Sequence, residues 1–412
     1  MRLIILLLLF NFQSQAVEVT SNNLKTLLEQ KNSRILSSKH QIQAAKEREG
    51  ILMRSFMPSL RLSASQESIK TGISDQFKTQ PVYGADATLN LYNGGRDSFE
   101  SEIRKTNTQL HSVQAEQILN MELQKVRSVY WEILYLKNKA QLLNDAVEIN
   151  KSNTSAATRR IRSGVATNTD QLEFDMEAVN LKRELEFTGI QLNNATNMLY
   201  VLLNFDASEK LEFKEELLHE HEIDAMFNKS ANNFEFQYKN LELTSELNNL
   251  HASKEKRSLL PKIDAFASYY QFNQREKDFV NEDYRDEYAF GLRITLDLPA
   301  GLKSNRDAAS YYYQAKSAEA LAHIQKKEVE THMVNERNEL NFLHEQVHNA
   351  DENIKRAQAY YKATQSEYNR GVKNSPDVLA ASQRFYEMKH KRLEIVRDFQ
   401  VAKGHLMAQM GK

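Results

Sequence analysis

The chain is written twice. Pro58-Ser59-Leu60-Arg61-Leu62 recurs in outline as Pro261-Lys262-Ile263-Asp264-Ala265, and Gly94 recurs as Gly301. Gly164 with Asp170 recurs as Gly371 with Asp377, each pair 207 residues apart. Between these landmarks the apolar series Ile133, Leu136, Ala140, Leu143, Val147 falls at the same offset as Leu340, Leu343, Val347, Ala350, Ile354. A period this long marks a duplicated half-molecule rather than a solenoid. Two similar halves therefore act together.

For 412 residues, 12 Gly and 5 Pro are few, which implies long uninterrupted elements. Lys+Arg (54) and Asp+Glu (55) nearly cancel, so charge gives no reason to expect a nucleic-acid partner. Met1-Arg2, an apolar run from Leu3 to Phe12 and Ser14-Gln15-Ala16 read as a secretory signal peptide over residues 1–16, with the mature chain beginning at Val17. No later segment approaches the roughly 20 apolar residues of a membrane-spanning helix, so any membrane segment must be built from strands. The absence of cysteine excludes disulfides, thiolate metal sites and lipidation of an N-terminal cysteine.

Residues from about Asn93 to Ile161 and from about Leu302 to Asn369 are expected to be long helices. In the second, Leu340, Leu343, Val347, Ala350, Ile354, Ala357 and Tyr361 alternate by threes and fours, the seam of a coiled coil. Helical patterning resumes after Gly164 and Gly371, so each half makes a helical hairpin. Ahead of each long helix the period changes to two. Tyr288, Phe290, Leu292, Ile294, Leu296 and Leu298 alternate with polar or small residues, as do Ala85, Ala87, Leu89 and Leu91 more weakly. With the upstream runs Leu60-Leu62-Ala64 and Ile263-Ala265-Ala267-Tyr269, each half supplies one β-hairpin and the chain supplies four strands. The strands suit a tilted membrane crossing, with Phe290, Leu292, Ile294, Leu296 and Leu298 toward lipid and Arg293, Thr295 and Asp297 toward a lumen. Open edges are not tolerated in hydrocarbon and known barrels begin at about eight strands, so such a chain must oligomerise.

This plan, with Leu89-Asn90-Leu91-Tyr92-Asn93-Gly94-Gly95-Arg96 entering the first long helix and the turns from Gly164 to Leu172 and from Gly371 to Leu379, resembles the TolC-type outer membrane efflux channel family. The resemblance implies an α+β membrane protein: a homotrimer whose twelve strands, four per chain, form one transmembrane β-barrel continuous with a long α-helical coiled-coil barrel. It places the protein in the outer membrane of a Gram-negative bacterium, extending into the periplasm. There it would be the passive exit duct of a tripartite efflux or type I secretion system, with a periplasmic adaptor protein, an inner-membrane transporter and outer membrane lipid as partners. The expected organisation is residues 17–203 and 234–412 as repeats, with 204–233 as a polar linker in a belt around the tunnel. The turns at Gly164-Val165 and Gly371-Val372 are expected to dock the adaptor. Thr169, Asp170, Tyr368 and Lys373 match the family's gate positions, with Asp170 accepting from the Tyr368 hydroxyl and the Lys373 ammonium, and Asp377 adding a carboxylate ring.

His344-Glu345-Gln346-Val347-His348 matches the H-E-x-x-H pattern of zinc proteases. The heptad places His344 and His348 beside and behind the seam on a charged, watered face, and the first copy has Lys137, Asn138 and Gln141 at the matching positions, so no zinc enzyme is expected. His219 and His221 read as a solvated pair in the linker. No catalytic residue, cofactor or resident metal is expected. A periplasmic adaptor is the alternative of a different class, although adaptors carry one hairpin where this chain has two.

Overall fold

The structure, a computed structural model, describes residues 17–50, 52–70, 77–206, 209–219, 234–273, 284–296 and 298–411. The leader expected over 1–16, and Glu220, His221 and Asp297, lie outside the described residues. In chain order the elements are β1 (Val17–Glu18), α1 (Leu24–Lys31), α2 (Ser33–Lys46), α3 (Leu52–Ser55), β2 (Ser59–Ile69), β3 (Lys78–Asn93), α4 (Arg96–Arg162), α5 (Asn168–Leu203), β4 (Leu211–Glu212), α6 (Phe236–Lys256), β5 (Lys262–Asn273), β6 (Tyr284–Thr295), α7 (Leu298–Asn369) and α8 (Ser375–Gln409). One compact unit comprises the described residues of Met1–Lys39, Ala115–Gln237 and Lys326–Lys412. The other comprises those of His40–Gln114 and Tyr238–Gln325.

The second unit holds a four-stranded antiparallel sheet in the order β2-β3-β5-β6. Its register puts Leu60, Ala87, Ala267 and Phe290 in one row and Leu62, Ala85, Tyr269 and Tyr288 in the next on the same face. The other face carries Arg61, Asp86 and Ser268 in a row, then Ser63, Gly84, Tyr270 and Glu287. The face expected toward lipid is thus apolar across all four strands, and its large side chains are open: Leu60, Leu62, Phe290, Leu292 and Ile294 are 69–87% exposed. Two details depart from the alternation read in the sequence. The β3–β5 register slips between Asn90 and Tyr92, so Leu91 is bulged out and Tyr92, opposite Ile263, is re-aimed to the apolar face. Leu298 begins α7 rather than ending β6, because Pro299 supplies a fixed φ suited to a first helical turn.

The passage from β3 into α4 needs two left-handed residues in succession. Gly94 (φ +64°) and Gly95 (φ +73°) provide them, and a Cβ on Gly94 would sit 2.9 Å from the Arg257 carbonyl oxygen and 3.0 Å from Leu260 Cβ. Gly301, its counterpart in sequence, instead lies inside the first turns of α7, so the two copies leave their sheets differently. Below the sheet, α4, α6 and α7 come close over small buried residues, including Ala308, Ala315 and Ala322, with Ser245 Oγ donating to the Ala315 carbonyl at 2.9 Å.

In the first unit the anticipated seams are buried: Ile133, Leu136 and Leu143 in α4, and Leu340, Val347, Ala350, Ala357 and Tyr361 in α7. Around Trp131–Leu136 every residue but Glu132 is buried, because the segment after β1, α1, the end of α5 and the segment after β4 also cover this stretch with Val19, Leu24, Leu28, Leu199, Leu203 and Leu217. β1 and β4 pair in parallel, Val17 with Leu211 and Glu18 with Glu212, a two-stranded sheet absent from the sequence reading. Part of the expected linker is therefore ordered against the segment that begins at Val17, where Glu215 accepts from the Ser21 amide and hydroxyl, each at 2.8 Å, and from the Tyr130 hydroxyl. These donors outweigh the burial that pushes the Glu215 carboxyl up, and hold its pKa below the usual value.

The backbone geometry predicts an asymmetry between glycines. Gly94→Ala meets both left-handed strain, about 1–2 kcal/mol, and a carbonyl in the way, whereas Gly164→Ala meets strain alone because nothing lies within 4 Å. Thermal unfolding of the purified protein should show the larger loss for Gly94→Ala; equal losses would contradict the close approach.

Candidate functional site

The two hairpin turns are built by the same local chemistry. α4 ends with Gly164 (φ +73°), whose N–H donates to the Ile161 carbonyl while the Val165 N–H reaches the Arg160 carbonyl. α7 ends with Gly371 (φ +84°), with Gly371 N–H to the Tyr368 carbonyl and Val372 N–H to the Glu367 carbonyl. Each is a Schellman C-cap that needs a left-handed residue, which explains both glycines. The helices that follow start on N-caps at Thr167 and Asn374. The third residue of each, Asp170 or Asp377, returns its carboxylate to the N-cap N–H, at 2.9 Å and 3.4 Å respectively. The 207-residue spacing of Gly and Asp is thus the spacing of two caps.

Beyond that shared frame the aspartates diverge. Asp170 turns its second oxygen to the Ser375 N–H at 3.4 Å, so one carboxylate caps α5 and also meets the start of α8. Burial pushes its pKa up, but donors from Thr167 and Ser375 outweigh it and hold the carboxyl below its usual range. Asp377 instead faces the Lys373 ammonium at 3.9 Å. Arg160 completes the junction, stacking its guanidinium 4.1 Å from the centre of the Tyr368 ring and donating to the Lys373 carbonyl at 3.3 Å.

Within one chain the two bonds expected from Tyr368 and Lys373 to Asp170 are therefore not made. Tyr368 is the last-but-one residue of α7 and is buried edge-on against Phe174, with its hydroxyl 3.2 Å from Ser375 Oγ. Thr169 is exposed, as are Val165 and Val372, and Val165 Cγ1 lies 3.8 Å from where a Gly371 Cβ would be. Arg160 and Ser375 were missed from sequence, although an Arg in a last helical turn and a Ser immediately after an N-cap are both signals that a turn is being tied.

On the polar face of the sheet, the Tyr270 hydroxyl meets both Asp86 oxygens at 2.8 and 2.9 Å. The Arg293 guanidinium lies over Phe266, and Lys262 pairs with Asp264 at 3.0 Å. Polar and charged side chains on this face thus meet partners along and across strands.

The histidines of the H-E-x-x-H segment do not stand alone. His219 folds onto α7, its Nε2 2.9 Å from His344 Nδ1, with its ring 4.7 Å from that of His344 and 5.8 Å from that of His348. His344 is consequently half-buried, not fully watered as the heptad suggested, while Glu345 and His348 are exposed. His219 is placed there by the ordered run after β4, which the sequence did not reveal.

These elements define a protein of two antiparallel strand pairs and two helical hairpins. Its sequence matches the outer membrane efflux protein family over residues 24–204 and 230–412, and the chain belongs to that family. Solved structures with the same fold include VceC from Vibrio cholerae (TM-score 0.77, 13% identity, 95% of this chain and 96% of that one). They also include the CmeC outer membrane channel from Campylobacter jejuni (0.80, 12%, 95% and 85%). The MtrE outer membrane channel from Neisseria gonorrhoeae, solved in its open state, is a third (0.75, 13%, 95% and 88%). No curated protein matches the chain in sequence. The family is one of outer membrane channels rather than enzymes or adaptors, and it accounts for the apolar sheet face.

The shared carboxylate makes Asp170 the residue whose loss should free the start of α8. A depressed carboxylate pKa stabilises above the unfolded value and ceases to do so as pH falls through the folded value. The hydrogen-exchange protection factor of the Ser375 amide, taken against its intrinsic rate at each pH, should therefore fall in Asp170→Ala, and in the wild type as pH falls below the usual carboxylate range. Protection that survives both would remove Asp170 from the junction.

Proposed function

We propose that this protein is the outer membrane exit duct of a tripartite export system, a homotrimer through which substrate delivered by an inner-membrane transporter and a periplasmic adaptor leaves the cell. The observation that carries this reading is the four-stranded sheet with an apolar face, a paired polar face and two unpaired edges. Three copies supply twelve strands and leave no edge. The helices support assembly too: α5 exposes Leu172, Met176, Val179, Phe187, Ile190, Met198 and Val201, spaced by threes, fours and eights along one stripe. Such a stripe on a helix otherwise packed within its own chain suits a neighbour's coiled-coil seam.

The periplasmic rim is assigned to the turns at Gly164-Val165 and Gly371-Val372, whose exposed valines offer an apolar contact to an adaptor's helical tip. The gate is assigned to Thr169, Asp170, Tyr368 and Lys373 where neighbouring hairpins converge, and Asp377 contributes a threefold carboxylate ring. Because Asp170 is already occupied by Thr167 and Ser375, and Tyr368 is buried, the closed state here rests on a tie between the hairpins of one chain as well as on links between chains. Solvent exposure limits each link to about 1 kcal/mol or less, and threefold repetition multiplies it.

Two experiments test this reading. Leu292→Arg or Ile294→Arg should cost about 2–4 kcal/mol at the membrane midplane and reduce trimer yield, with Thr295→Arg tolerated. In planar bilayers, Asp170→Ala combined with Lys373→Ala should raise conductance markedly and Asp377→Ala should weaken cation selectivity. Unchanged traces for both would leave the turns as docking surfaces without a gate.

A further inference from the structure

A histidine distant in sequence meets a pair on one face of α7, and we propose that His219, His344 and His348 form a binding site for a divalent transition-metal cation, with Zn2+ as the representative ion. His344 and His348 are four residues apart on one helix, a spacing that stacks two imidazoles on the same face. His219 arrives from the segment after β4 and completes a triangle whose ring centres lie 4.7, 5.1 and 5.8 Å apart. With metal–nitrogen bonds of about 2.0–2.1 Å in a tetrahedron, ligand nitrogens stand about 3.3 Å apart and ring centres about 5.2 Å apart. The triangle brackets that size. The nitrogens of His219 and His344 are 2.9 Å apart and share a hydrogen bond, so a cation replacing the shared proton needs them to separate by only about 0.4 Å. With the side chains as they stand, no group of three or more His, Asp or Glu among the described residues is converged on a metal position. Ligation requires that opening together with a turn of the His348 ring that brings one of its nitrogens to the same point.

The third imidazole is held by built structure rather than by chance. The Glu215 carboxylate is anchored by Ser21 and Tyr130, Leu217 is buried, and the Leu218 carbonyl accepts from Gln400 Nε2 at 2.7 Å. Phe399, 1% exposed, closes one side edge-on to the His219 ring at 4.8 Å. On the other side His348 is exposed. An all-imidazole set favours Zn2+, Cu2+ or Ni2+ over the oxygen-seeking Ca2+ and Mg2+. The bound ion clips the segment between the two halves onto a long helix. No hydrolytic role follows, and the site stands independently of whether the chain conducts.

The test is isothermal titration of Zn2+ into the purified full-length chain, free of any histidine tag, in detergent above neutral pH. The expected result is one Zn2+ per chain, with affinity lowered at least about tenfold in His219→Ala, in His344→Ala and in His348→Ala. The exposed His323→Ala on the same helix should bind as the wild type does. X-ray absorption on the zinc-loaded wild type, which needs no variant to fold, should report three imidazole nitrogens. Absence of uptake, one or two imidazoles at the zinc, or wild-type affinity in His219→Ala would overturn the site, the last leaving an ordinary helical pair.

Discussion

The unpaired backbone along the outer sides of β2 and β6 governs the rest of the molecule. Each edge presents a row of N–H and C=O groups over a strand of 11 or 12 residues, and every such group left without a partner in hydrocarbon costs several kcal/mol. A soluble sheet blunts its edges with charge, proline or a covering helix. Here the edges carry Leu60 and Leu62 on one side and Phe290, Leu292 and Ile294 on the other, all exposed. A chain of this family, residing in the outer membrane, gains pairing for those groups only from another chain. The Leu91 bulge and the Gly94-Gly95 corner are local adjustments to the same demand, one keeping Tyr92 on the apolar face and the other turning the strand into a helix.

The helical hairpins show how a duplicated sequence acquires unequal parts. Both turns use one economical recipe, a left-handed glycine to end a helix and an aspartate three residues into the next to cap it. Once the recipe fixes the backbone, the outward bonds are free to differ. Asp170 reaches across to Ser375 and joins two turns, whereas Asp377 stays local beside Lys373. Arg160 over Tyr368 has no equivalent cation–aromatic pair at the other turn among the described residues, since Tyr368 corresponds to Ile161.

Much of this was legible because it depends on periodicity. Period two located the strands, period three-and-four located the seams through Leu340 and Tyr361, and the glycine–aspartate spacing located both turns. Long-range pairing was not legible. The parallel β1–β4 contact involves two residues on each side, too few to leave a pattern, and it carries His219 to His344 across 125 residues. The alternation through Leu91 was misread because a bulge shifts register without changing composition. Within one chain the bonds of Asp170 go to Thr167 and Ser375, because Tyr368 lies close in sequence to a turn yet points into the hairpin core, a direction set by Phe174 on a different helix.

Closure of the sheet by neighbouring copies is the central claim, and the absence of cysteine makes it directly measurable. Pairs placing one cysteine on β2 and one on β6 of the apolar face, Leu60→Cys or Leu62→Cys with Phe290→Cys, Leu292→Cys or Ile294→Cys, can be oxidised in isolated outer membranes and resolved by denaturing electrophoresis. At least one pair should give a ladder ending at a covalent trimer, with no such band from either single substitution. A ladder that stops at two chains, continues past three, or never forms across the full set of pairs would contradict a barrel closed by three copies.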